Sequence, residues 1–171
     1  MHVFNQYIQQ KLERCNVLFI AWDVYKQGDS LKVGERRRRG TGGRSYQVGP
    51  QTPVPKDWHD FLRSEKNKEG LFFFLAASMA AFLYAVGKRV YTSSGDKTLH
   101  SIGVEDSNVD GGDLFGICNH EEADTRMILY AASAITREAS SIEIRSVDSD
   151  AVIIALSIFS ALLAINENAN V

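Results

Sequence analysis

Residues 120–126, His-Glu-Glu-Ala-Asp-Thr-Arg, place three carboxylates, Glu121, Glu122 and Asp124, within four positions. A second acidic pair, Asp148 and Asp150, follows the next apolar run, and Asp23 closes the short apolar run 17–22. Carboxylates gathered in this way repel one another unless something positive sits among them. Two arrangements meet that need. The positive end of a helix favours each acid in its first turn by roughly 0.3–1 kcal/mol, and Asp148 or Asp150 would then be an ordinary cap. Alternatively a divalent ion binds them. Carboxylate-only ligands select Mg²⁺ or Mn²⁺ over zinc. Two such ions, about 3.5–4 Å apart, activate water and stabilise the leaving oxygen in phosphodiester cleavage. Two lesser options use the same region. Cys118 and His120 with His100 or His59 would make a zinc site, although Cys118-x-His120 lacks the usual paired spacing. Asp148 as nucleophile with Asp150 as acid would make a phosphohydrolase.

Helical spacing puts Glu121, Asp124, Ile128, Ala131 and Ile135 on one stripe, so Asp124 shares the side of the apolar residues and needs a partner there. Glu122 falls about 100° away and can pair with Arg126 at i+4.

The elements that must position these acids follow from periodicity. Val3, Phe4, Tyr7, Ile8 and Leu12 fall at helical spacing near the N-terminus. Residues 17–22 read as a buried strand and 89–92 as a second, β-branched and aromatic. Between them, Asp57 can cap a first helix after Pro55, and a second is expected over 67–86, with Gly87 as its stop. A loop with a small hairpin near 99–104 leads to a helix from Asn119 or His120 to about Ala139. Ile142 and Ile144 alternate with polar residues, so 141–147 reads as a third strand, followed by a helix from Ala151 to about Asn166. Strands alternating with helices imply an α/β fold, a three-layer sandwich with a mainly parallel central sheet. In such a sheet, ligands sit beyond the carboxyl ends of the strands, which is where Asp23, Asp148 and Asp150 fall.

At 171 residues the chain suits one domain. The apolar stretch 71–86 is interrupted only by Ser78, yet a membrane span wants roughly 20 apolar residues. It reads as a buried core helix, as does the shorter run 151–164. Two cysteines with no short-spaced motif suit a reduced, intracellular protein of the nucleus or cytoplasm. Charge is segregated: over 32–46, Lys32, Arg36, Arg37, Arg38, Arg39 and Arg44 face Glu35 alone, inside a loop at 26–56 that holds six glycines and all three prolines. Glu105 to Asp124 carries seven acids and no Lys or Arg. A basic block and an acidic cluster in one chain suit a polyanion held by the first and cut or sensed by the second, and charge alone suits equally a flexible basic loop beside a solvated acidic loop. Tyr46 and Trp58 lie near the basic loop and could stack on bases, with a core role the stronger expectation for Trp58.

Glu122-Ala123-Asp124, followed by Val147-Asp148-Ser149-Asp150, resembles the acidic signature of the PIN-like superfamily, particularly its flap-endonuclease branch. Asp23 matches the acid that ends the first strand of that pattern. The fuller string, through Arg36-Arg37, Pro53-x-Pro55-Lys56-x-Trp58, residues 120–126 and 147–152, is similar to an uncharacterised, mobile-element-like animal family and spans most of 17–157. The resemblance implies a single PIN-like domain over 1–171. Its implied function is a metal-dependent nuclease acting on DNA or RNA without base specificity. Asp23, Glu122, Asp124, Asp148 and Asp150 would be ligands of one or two Mg²⁺ or Mn²⁺ ions, with Glu121 in reserve. Lys32, Arg36 to Arg39 and Arg44 would hold the nucleic acid. The pattern also has an acid after the second strand, where this chain has Ser93-Ser94, and a Gly-x-Asp segment beyond Val171. The C-terminal part of the fold is therefore expected to be missing. A non-catalytic nucleic-acid- or protein-binding domain on a degenerate nuclease fold is the alternative.

Overall fold

The computed structural model describes residues 2–25, 45–101, 118 and 120–169. Helix α1 (His2–Leu12) turns Ile8 and Leu12 inward, and strand β1 (Val17–Ile20) follows. Asp57 starts α2 (Trp58–Arg63) by accepting from the Asp60 amide at 2.9 Å. Ser64 caps α3 (Glu65–Ala80) in the same way, accepting from the Asn67 amide. Within α3, the wholly buried Asn67 accepts from the Tyr46 amide at 2.8 Å and donates to the Phe61 carbonyl at 3.0 Å. One side chain thus ties α2, α3 and the segment around Tyr46 together.

Strand β2 (Arg89–Ser94) runs parallel to β1, with Leu18 beside Val90 and Ile20 beside Thr92. Strand β3 (Lys97–His100) returns antiparallel through the two residues Gly95 and Asp96. Gly95 takes a φ of 61°, the left-handed value that the first central position of a tight hairpin demands. The strand order is β1-β2-β3. Period-two alternation splits the sheet's side chains between two faces. Leu18, Ile20 and Val90 pack with Ile8, Leu12, Met79 and Tyr84. On the other side Phe19 stacks on Tyr91 at 5.0 Å and on Tyr130 of α4 (Ala123–Thr136) at 5.1 Å. Helices α5 (Ser149–Ser157) and α6 (Phe159–Ala169) pack on α4 and on each other.

Several expectations are corrected. The sheet is mixed, one parallel and one antiparallel pair, so the fold is a mixed α/β arrangement around a small sheet rather than a three-layer sandwich on a mainly parallel one. Residues 141–147 form no strand among the described residues, although their isoleucines alternate. The helix expected to reach Val86 stops at Ala80, and Leu83 and Val86 face solvent. Gly87 does mark the turn, with a φ of 78°. The run 151–164 is not a buried core helix. It breaks at Ile158 into α5 and α6, and Val152, Ile153, Leu156, Phe159 and Leu163 are each at least half exposed. Trp58 is 45% exposed, with its edge contact to Phe61, rather than a core residue. Among the described residues no helix is long and apolar enough to cross a membrane.

Candidate functional site

Two hydrogen bonds bring the end of β1 to the start of α4. The Val24 amide donates to the Glu121 carbonyl at 2.8 Å, and the Ala123 amide donates to Asp23 Oδ1 at 2.9 Å. Glu122 occupies the N-cap position of α4 but makes no capping bond with its own side chain. The first amide of the helix is instead satisfied by an acid 99 positions earlier in the chain than Glu122. The helix begins at Ala123, later than the start at Asn119 or His120 expected from the sequence, and its first amide is bonded to Asp23.

The β1 end is itself held. The Trp22 amide donates to Ser93 Oγ at 2.8 Å, and the indole Nε1 donates to Thr92 Oγ1 at 2.9 Å. Trp22 also stacks on Phe72 of α3 at 4.8 Å. Asp23 therefore projects from a backbone fixed by β2 on one side and α3 on the other. The hydroxyls of Thr92 and Ser93 position the end of β1, a role that acid-centred reading of the sequence misses. The only signal was at Ser93, which with Ser94 stands where the resemblance calls for an acid. Glu69 was missed as well. It lines a narrow cleft with Asp23, Ser93 and Ser94, of about 20 Å³, room for roughly one water molecule. Its place among Glu65, Lys66 and Lys68 in the charged first part of α3 reads as an ordinary solvated helix start.

Asp148 caps α5, accepting from the Asp150 amide at 3.0 Å, while its own amide donates to Ser146 Oγ at 3.0 Å. The capping reading of Asp148 is thus correct. It does not remove Asp148 from the cluster. The Asp124 carboxyl is pushed above the usual carboxylate range, first by burial and then by the charges of Asp148, Asp23, Glu122 and Asp150. The charges of the other four sequence-designated acids thus all act on the Asp124 carboxyl. Glu122 is among the charges that act on Asp124.

Two expectations fail here. Arg126 turns inward instead of reaching for Glu122. Its Nη2 donates to the Cys118 carbonyl at 2.9 Å and its Nη1 to the Lys97 carbonyl at 3.5 Å, and the residue is 1% exposed. It anchors α4 to the end of the hairpin and supplies no exposed cation. Cys118 is buried, and both cysteines are free thiols. Among the described residues no group of three His, Cys, Asp or Glu side chains is placed to hold a metal ion, zinc or otherwise. The acids lie within electrostatic reach of one another but not at ligand spacing. The basic residues Lys32, Arg36, Arg37, Arg38, Arg39 and Arg44 lie outside the described residues. The chain enters that segment after Tyr25, whose ring sits 6.3 Å from Phe72, and leaves it near Tyr46, bonded to Asn67. Comparison with protein-family models, with curated proteins and with solved structures finds no match to the chain.

Proposed function

We propose that the acidic neighbourhood binds one or two Mg²⁺ or Mn²⁺ ions and that the chain is a metal-dependent nuclease domain acting on nucleic acid. The observation that carries this reading is the clasp of Asp23 onto the first amide of α4, which brings Asp23 to the helix start that carries Glu122 and Asp124; the charges of Asp148 and Asp150 also act on Asp124. The donor set suits a hard cation, since carboxylate oxygens at such a site favour Mg²⁺ or Mn²⁺. Asp23 and Asp148 each engage an amide through one oxygen, and the second oxygen is the one a cation would take. An ion would have to draw the carboxylates closer than they stand. In doing so it would relieve the repulsion focused on Asp124. Bound there, it would supply an activated water and stabilise the leaving oxygen of a phosphodiester. The chain's own residues do the rest. Thr92 and Ser93 hold Trp22 and so aim Asp23, and the cations of 32–44 draw in the phosphate backbone through counterion release.

A second reading has its own support. Asp23 and Asp148 already serve as helix-start partners, and no three acids stand at ligand spacing among the described residues. On that reading the domain binds nucleic acid or a protein without cutting. Incubation with end-labelled DNA and RNA oligonucleotides, with Mn²⁺ and with chelator, separates the two. Cleavage that needs the ion and is lost in Asp124→Asn and Asp148→Asn supports the nuclease. Binding without cleavage under every condition supports the second reading.

A further inference from the structure

Glu138, with a φ of 60°, turns the chain out of α4 into residues 141–145, which are exposed throughout and belong to no helix or strand. Among the described residues, none of their backbone N–H or C=O groups enters a hydrogen bond. Ile142 and Ile144 are each 39% exposed and line a groove of about 990 Å³, together with Val152, Leu156, Phe159 and Leu163 of α5 and α6. Residues 151–164, which form the opposite wall, contain no charged side chain. The charges on 141–145 are a balanced pair: Arg145 Nε donates to Glu143 Oε1 at 2.7 Å, with both side chains more than half exposed.

This combination fits one kind of occupant. Unpaired backbone flanked by alternating isoleucines is a template for strand addition. A wall without charge offers nothing to select an acidic or basic partner. Opposite charges two residues apart are, by contrast, self-complementary across a twofold axis. Antiparallel pairing centred on Ile144 sets Glu143 opposite Arg145 of the partner subunit and Arg145 opposite Glu143 of the partner subunit. Opposite-charge cross-strand pairs stabilise, and like charges placed directly opposite destabilise. Parallel pairing in register would set Glu143 against Glu143 of the partner subunit. We propose that residues 142–146 of two copies of this chain pair antiparallel about a twofold axis through Ile144, and that the apolar grooves of the two copies close on each other. The contact is isologous, the arrangement most soluble homo-oligomers use. It stands independently of the nuclease reading.

Sedimentation equilibrium on the full chain tests it through charge exchange. The wild type is expected to be a dimer. Glu143→Arg alone and Arg145→Glu alone place like charges opposite each other at both symmetry-related pairs. Each should weaken the dimer by about tenfold or more, equivalent to about 1.4 kcal/mol. The double variant E143R/R145E restores opposite charges and should restore the dimer. Circular dichroism on each variant checks that the fold persists, which the exposure of both side chains favours. A wild-type monomer at every accessible concentration would overturn the proposal and leave the groove to another occupant. So would single variants that dimerise like the wild type, or a double variant that does not recover.

Discussion

Asp23→Ala removes the acceptor for the first amide of α4 while leaving β1 untouched, so it isolates the clasp between strand and helix. Loss of an N-cap acceptor costs about 1 kcal/mol, within a range of roughly 0.5–2. Loss of a negative charge at the positive end of the helix adds roughly 0.3–1 kcal/mol. Two features of the structure reduce the total. Asp23 is exposed, so solvent screens its charge, and its removal relieves one of the repulsions that raise the Asp124 carboxyl. The net expectation is a loss of about 1 kcal/mol. For a chain of this size that lowers Tm by roughly 2–4 °C. Asp23→Asn keeps an oxygen acceptor for the Ala123 amide and should lose less. Thermal unfolding followed by circular dichroism in chelator, at neutral pH, reads both variants. An unchanged or raised Tm for Asp23→Ala, or a larger loss for Asp23→Asn than for Asp23→Ala, would refute the claim that Asp23 holds α4.

Asp124→Asn should have the opposite sign. The folded-state pKa of Asp124 is raised, so its contribution to stability is fully present below the unfolded carboxylate pKa and is lost as pH rises through the folded value. The asparagine variant should therefore be more stable than wild type at neutral pH without metal. That gain should vanish on acidification through the carboxylate range, which urea unfolding at a series of pH values would show. Arg126→Ala should cost roughly 2–4 kcal/mol, because it strips two carbonyls of a charged donor and opens a cavity under α4. Denaturant midpoints read this directly, and a loss below about 0.5 kcal/mol would contradict the anchoring role.

The acids stand out in the sequence by their types, order and spacing. Strands β1 and β2, the Asp57 cap and the turn at Gly87 were legible because each is decided by neighbouring residues. What failed depended on distant partners. The alternation at Ile142 and Ile144 says that one side of the segment is apolar, but not that a sheet edge is available to bond its backbone. The apolar run 151–164 says that the residues avoid water, but not that α4 covers only part of them. Arg126 looked like an i+4 partner for Glu122. Its inward turn depends on carbonyls at Lys97 and Cys118, which the sheet brings near. The start of α4 was misplaced as well, and its first amide is bonded across the fold to Asp23.

The central claim is that the acids of β1, α4 and α5 form one cation site, and calorimetric titration of the chelator-stripped chain with Mn²⁺ tests it most directly. The account predicts saturable binding of one or two ions to the wild type, lost or strongly weakened in Asp124→Asn and in Asp148→Asn. Absence of binding to the wild type, or binding that both variants retain unchanged, would contradict it.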